Sequence, residues 1–235
     1  MGRGLASNQI KFIAIAAMTI DHLAWTLFPG YDPRWFVLLA HILGRITAPI
    51  MWFFLAEGYF HTRNLKKYAF RLFSLAIVSH FAYCFCFGIS LIPNAVFNQT
   101  SIAWSLAWGL VLLWIFDRSG WKQWQQVAAM TGICILTFPG DWSCIAALAV
   151  AFLGVNRGKF HKQMQWMMDW TAVYALVYFL FLDRLYGVIQ LFTWLSIPVL
   201  KQYNGQRGNW KGMGTCFYVY YPAHLLVLGL LRLCL

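Results

Sequence analysis

Stretches such as IKFIAIAAMTIDHLAWTLF, residues 10–28, decide the fold, because each is an apolar run long enough to cross a bilayer. This run also carries Asp21 and His22. A transmembrane helix needs about 20 mostly apolar residues. The sequence predicts nine such helices, of which the fifth, sixth and eighth are short and could be re-entrant or tilted: 10–28, 35–60, 68–92, 100–116, 124–138, 142–155, 164–182, 185–200 and 215–233.

The composition of the 235-residue chain excludes a soluble protein. Hydrophobic residues make up 61% of the chain and charged residues only 11%, whereas an ordinary soluble domain is about 25% charged. So few charges cannot cover the surface of a soluble fold of this size. We therefore expect an all-α, polytopic integral membrane bundle of about nine transmembrane helices, forming a single domain over residues 1–235.

The basic residues lie mostly in the gaps between the apolar runs, and the net charge is +11. Cytoplasmic loops carry the excess of Lys and Arg. The N-terminus and the gaps after the even-numbered runs carry 14 of them, namely Arg3, Lys11, Arg63, Lys66, Lys67, Arg71, Arg118, Lys122, Arg157, Lys159, Lys162, Lys201, Arg207 and Lys211. The other side carries Arg34, Arg184 and Arg232. This pattern predicts a cytoplasmic N-terminus and leaves no basic stripe for nucleic acid.

Ionisable residues inside the apolar runs are functional candidates, because charge at membrane depth is costly. Asp21 and Arg45 fall at similar depth on antiparallel neighbours and can neutralise each other. The alternative to a functional role is that this pair only holds the two helices together. His22 follows the carboxylate and titrates near neutral pH, which suits a general base. In the ninth run, His224 near Tyr221 is either a satisfied interhelical donor or a further member of this site.

The longest polar segment, KQYNGQRGNWKGMG at 201–214, predicts a phosphate site on the cytoplasmic side. Its four glycines let backbone N–H groups approach an anion, and Lys201, Arg207 and Lys211 supply charge beside Asn204. The alternative is a basic loop anchored on lipid headgroups. The six cysteines lack metal-ligand spacing, and we expect no metal.

Four segments in this order resemble the TraX family, the pilin acetylases of conjugative plasmids. They are KFIAIAAMTIDHLAW at 11–25, GRITAPIMWFFLAEGYFHTRNLKKYAFRL at 44–72, YNGQRG at 203–208 and FYVYYPAH at 217–224. The resemblance covers essentially the whole chain. It implies a multi-pass protein of the bacterial inner membrane that acetylates the N-terminal amine of the pilin subunit, with acetyl-CoA as the donor.

The resemblance extends to the wider group of membrane-embedded acyltransferases, in which a buried His and a buried Arg serve the reaction. The matching positions here would be His22 and Arg45, with Asp21 as their partner. We add His224 and predict the catalytic set Asp21, His22, Arg45 and His224. We also predict the supporting residues Glu57, Arg63 and Tyr221 and the donor-binding residues Lys201, Tyr203, Asn204, Gly205, Arg207, Gly208 and Lys211.

Two other functions stay open at this point. The Asp21–Arg45 network could line the pathway of a transporter or flippase for an ion or lipid. Alternatively, the chain could be a pilus assembly factor that docks pilin without catalysis. A transporter predicts inverted repeats with broken helices in matching halves, and the sequence shows no such symmetry.

Overall fold

The structure, a computed structural model, describes residues 4–92, 94–210 and 212–235. Their regular secondary structure is helical, with two isolated β-bridges and no strand among the described residues, which confirms the predicted all-α class. A 3-10 helix at Leu191–Leu195 joins the helix that ends at Gln190 to the helix that begins at Ser196. The helices α1 to α11 span Ser7–Leu27, Trp35–Gly44, Thr47–His61, Leu65–Phe87, Ile102–Arg118, Gln123–Thr137, Ile145–Val155, Phe160–Phe181, Arg184–Gln190, Ser196–Lys201 and Met213–Leu233.

Four stretches are long and apolar enough to cross a membrane, namely Ser7–Leu27, Trp35–His61, Leu65–Phe87 and Met213–Leu233. They correspond to the first, second, third and ninth predicted runs. Large apolar side chains on them are exposed, including Phe12, Phe70 and Val227. Such side chains are stable against lipid rather than water, so the chain has the character of a membrane protein. The total of nine spans and the cytoplasmic N-terminus stay predictions.

The chain divides into two compact units, Met1–Met51 with Thr171–Leu235, and Trp52–Trp170. The prediction of a single domain is not decided by this division.

In the second unit, α7 is buried almost throughout. Small residues let α5 approach it, since a Cβ added at Gly109 would lie 3.0 Å from the Ala147 Cα. With 11 residues, α7 is about 16 Å long, so this sixth predicted run is too short to cross the membrane alone.

In the first unit, the second predicted run breaks at Arg45 and Ile46 into α2 and α3. Pro49 explains the break, because it lacks the N–H that would bond to the Arg45 carbonyl and its ring crowds that oxygen. On the preceding turn, Gly44 lies against Asp21 of α1, and an added Cβ would stand 2.3 Å from the Asp21 Cβ. The break and the glycine therefore bring Arg45 to Asp21.

The eighth predicted run, 185–200, is not one continuous helix. It consists of α9, the 3-10 helix and α10. The hydroxyl of Thr193 donates to the Gln190 carbonyl at 2.8 Å, and Pro198 lacks the N–H that would bond to Trp194. Regular α-helical bonding therefore stops after α9, which ends at the buried side chain of Gln190.

Replacing Gly44 by alanine tests the close approach of α1 and α2. We expect Gly44→Ala to lower the unfolding midpoint in detergent, at a cost of about 1–3 kcal/mol, because the new methyl group overlaps Asp21. Gly132→Ala is the matched control, since nothing lies within 4 Å of a Cβ there. The control should be neutral or stabilising, by up to about 1 kcal/mol. Equal midpoints for the two variants would contradict the packing described.

Candidate functional site

The centre of the candidate site is the carboxylate of Asp21. The Arg45 Nη2 donates to both of its oxygens, at 2.8 and 2.7 Å, and the His41 Nδ1 donates to Oδ1 at 2.8 Å. Asp21 is 7% exposed and His41 is completely buried. The predicted Asp21–Arg45 pair is therefore confirmed. His41 is a partner that the sequence analysis did not assign to the site.

The guanidinium of Arg45 has further partners that hold it in place. Its Nη1 donates to the Gln190 Oε1 at 3.0 Å, and its Nε donates to the His41 carbonyl at 3.3 Å. A buried ion pair is stable only when such additional hydrogen bonds are made. Gln190 was also missed, although a polar side chain inside an apolar run is a signal that could have identified it.

His22 and His224 form a hydrogen-bonded pair of imidazoles between α1 and α11. The His224 Nδ1 lies 3.0 Å from the Tyr220 carbonyl, which can only accept, so this nitrogen donates. The Nε2 of neutral His224 then accepts from the His22 Nδ1, 2.7 Å away. In neutral His22 the lone pair is consequently on Nε2.

Tyrosine side chains of α11 line this imidazole pair. The Tyr221 ring, predicted to support the site, has its centroid 6.5 Å from that of His22 and 5.6 Å from that of His224. The Tyr220 hydroxyl lies 2.6 Å from the Thr19 Oγ1 of α1. These contacts fix the register of α11 on α1. The charges of Asp21 and its partners are near enough to act on His22.

The glycine-rich loop lies against the start of α1. The Ser7 N donates to the Gln206 carbonyl at 2.9 Å, and the Asn8 N donates to the Arg207 carbonyl at 3.2 Å. These carbonyls accept from backbone N–H groups that the first turn of a helix leaves without intrahelical partners. The loop and the N-terminal segment thus lie on one side, as the predicted topology requires.

The predicted donor-binding residues of the loop are exposed or half-buried. Gly205 and Gly208 have φ values of 76° and 89°, which glycine adopts without strain. Arg207 is near enough to Lys11 for their charges to interact. Lys211 lies outside the described residues. The remaining donor-binding residues that the structure describes are Lys201, Tyr203 and Asn204.

Glu57 and Arg63 belong to the second unit. The Arg157 Nε donates to the Glu57 Oε1 at 3.1 Å, and Arg63 is exposed in the turn after α3. Their supporting role stays a prediction.

Across the described ranges, no group of three or more His, Cys, Asp or Glu side chains is placed to hold a metal ion.

Comparisons with known proteins cover nearly the whole chain. The family model described as TraX protein matches residues 6–232. The chain is similar to the probable fimbrial assembly protein FimC, serogroup H1, of Dichelobacter nodosus, with 28% identity over 236 aligned residues. The alignment covers 94% of this chain and 93% of the relative. No solved structure matches the chain.

A double-mutant cycle on Asp21→Asn and Arg45→Gln tests the ion pair. Each single variant leaves one buried charge without its ion-pair partner, so we expect each to lose about 3–5 kcal/mol of unfolding free energy. The double variant should lose less than the sum of the two. Arg34→Gln is the control, because Arg34 pairs with Asp32 at an exposed position where little change is expected. Denaturant unfolding in detergent measures all four. If the single variants lose no more unfolding free energy than the Arg34→Gln control, a buried Asp21–Arg45 ion pair is refuted.

Proposed function

The chain belongs to the TraX family, and from that premise we propose that it is an acetyltransferase of the bacterial inner membrane. In this proposal it transfers acetyl from acetyl-CoA to the N-terminal amine of a conjugative pilin subunit. The family and a relative named as a fimbrial assembly protein support a role in pilus assembly. The observation that carries the proposed chemistry is the His22–His224 hydrogen bond, which places the lone pair of neutral His22 on Nε2, in a ring within electrostatic range of the buried Asp21–Arg45 pair.

His22 acts as the general base through its Nε2. A proton accepted there leaves a positive charge on an imidazole whose Nδ1–H is already bonded to His224, so the charge is shared by the pair. His22 is half-buried, whereas Asp21 and His41 are buried. Among the imidazoles of the group, His22 is thus less enclosed than His41 and His224.

The reaction is an acyl transfer from sulfur to nitrogen. The lone pair of the neutral amine attacks the thioester carbon, a C–N bond forms and the carbonyl π electrons move to oxygen. The His22 Nε2 takes one amine proton. The carbonyl then reforms, the C–S bond breaks, and that proton passes to the CoA thiolate. Arg45 stabilises the oxyanion, whereas His224, whose two ring nitrogens are committed to Tyr220 and His22, orients the base. In a variant of this scheme, an acetyl-imidazole forms first.

Donor and reaction centre are far apart in this arrangement. Asp21 lies 14 residues after Ser7 in α1, which is about 20 Å along the helix axis. Acetyl-CoA is an elongated molecule with its phosphates at one end and its thioester at the other. Its phosphates would meet Lys201 and Arg207 of the loop, and its pantetheine arm would follow α1 to His22. A dry site protects the thioester from hydrolysis.

Transport is a second candidate, favoured by the interruption of helical bonding after α9 next to the Arg45–Gln190 contact. Broken helices beside buried charges are typical of transporters. In transporters, however, the interruptions occur in matching halves. The described part of the second unit, 52–92 and 94–170, has no 3-10 segment inside a helix. We therefore favour acyl transfer.

The variant His22→Ala tests the proposed base. Membranes containing it should transfer labelled acetyl from CoA to pilin at least about 100-fold more slowly than wild type, since a general base contributes this much. His161→Ala, at an exposed position of α8, is the matched control and should transfer normally. Protein levels are compared by immunoblotting. Normal transfer by the His22 variant would remove this residue from the mechanism and favour a docking or transport function.

A further inference from the structure

His41 has a nitrogen that the proposed chemistry does not use. Its Nδ1 donates to Asp21, while its Nε2 is buried and has no hydrogen-bond partner among the described residues. With the proton on Nδ1, the lone pair of the neutral ring is on Nε2. The carboxylate orients the ring and stabilises the cation that forms when Nε2 takes a proton. Because an unpartnered buried nitrogen is costly, its presence calls for a ligand.

Aromatic side chains surround this imidazole. The ring centroids of Trp25 and Tyr186 lie 4.5 and 5.3 Å from that of His41. The Tyr31 ring is 4.9 Å from Tyr186 and 6.2 Å from Trp25. We call Trp25, Tyr31 and Tyr186 the aromatic cluster. Tyr31 is 40% exposed and Tyr186 only 1%, so the cluster leads from the surface to His41. Aromatic faces attract ammonium groups.

Carboxylates are concentrated around the aromatic cluster. The phenol of Tyr186 is within electrostatic range of Asp21, Asp32 and Asp183, which are three of the seven acidic residues in a chain of net charge +11. Its hydroxyl donates to the Asp32 carbonyl at 3.1 Å, and its backbone N–H donates to the Asp183 Oδ1 at 2.8 Å. Asp21 and Asp32 are already paired with Arg45 and Arg34, so it is the aromatic rings, together with the Asp183 carboxylate, that favour a cationic ligand over an anionic one.

The aromatic cluster and the glycine-rich loop lie at opposite ends of α1. Trp25 is in its last turn and Tyr31 follows it, whereas the loop pairs with Ser7 and Asn8 at its start. A phosphate-bearing donor and an ammonium-bearing acceptor would therefore approach His22 from different ends of the helix.

We propose that the aromatic cluster and His41 form the acceptor subsite, which binds a primary ammonium group and removes its first proton. One N–H bond of the ammonium breaks, its electron pair stays on nitrogen, and the proton moves to the His41 Nε2. The amine then attacks the thioester, and its second proton passes through His22 to the CoA thiolate. His41 later returns its proton to water. The acetylation step rests on the proposed function, whereas amine binding does not.

Photolabelling of the full-length protein in detergent tests the subsite. The probe is a long-chain primary alkylamine with a diazirine in its tail, and its N-acetyl derivative is the matched control probe. We expect the amine to label the peptides that contain 25–31 and 184–190 about tenfold more strongly than the N-acetyl derivative, because only the amine can be protonated. An excess of unlabelled alkylamine should remove this labelling.

Variants show whether the labelling depends on the proposed groups. Tyr31→Leu and His41→Gln should reduce amine labelling about tenfold, whereas Trp124→Leu, at an exposed position of α6, should not. Because His41→Gln could unfold the protein, its labelling is interpreted only together with a melting curve of the same variant. If His41→Gln is unfolded, Tyr31→Leu alone tests the subsite. Equal labelling by both probes, or unchanged labelling in folded Tyr31→Leu, would overturn the subsite.

Acetyl transfer is measured on the same preparations, so that the two proposals can fail separately. If wild-type protein discriminates the amine probe but transfers no acetyl to pilin, the proposed function falls and the amine subsite stands. If wild-type protein transfers acetyl but labels equally with both probes, the subsite falls and the proposed function stands.

Discussion

The buried ion pair between Asp21 and Arg45 is the interaction on which the arrangement of the first unit depends. Two opposite charges at this depth must meet, because either one alone would be prohibitively costly in an apolar environment. Gly44 gives α1 room to approach, and Pro49 ends regular helical bonding at the arginine. The imidazoles of His22 and His41 are held in place around this pair, each with one nitrogen already committed to a partner.

The sequence predicts those features that depend on local composition. The apolar runs locate nearly every helix, and charges of opposite sign in neighbouring runs identify the Asp21–Arg45 pair. The sequence cannot supply the His22–His224 bond, because this bond depends on the register of two helices about 200 positions apart. His41 lies one helical turn before Arg45, but the sequence does not show that its Nδ1 turns towards Asp21, because that contact depends on how α2 packs against α1. Hydrophobicity alone also could not show that α7 is buried in protein or that the eighth run is interrupted.

The two ends of α1 in the first unit differ in their charged and aromatic residues. Cations gather at the loop that packs on the start of α1, whereas the aromatic cluster and Asp183 lie towards its other end, where Asp21 and Asp32 are balanced by Arg45 and Arg34. An elongated anionic donor and a cationic acceptor are complementary to these two regions. The imidazoles lie between them, where the proposed reaction would require one substrate to lose protons and the other to gain one. In the proposed acetyl transfer, this arrangement would let α1, a helix long enough to span the membrane, meet one substrate at each of its ends.

The mass of the mature pilin N-terminus tests the central claim most directly. Pilin is purified from otherwise identical cells with and without this protein, and its N-terminal peptide is analysed by mass spectrometry. We predict an acetyl group on the terminal amine only when the protein is present. An unmodified terminus in both preparations, or the same acetyl group in both, would contradict acetyl transfer to pilin as the function of this site.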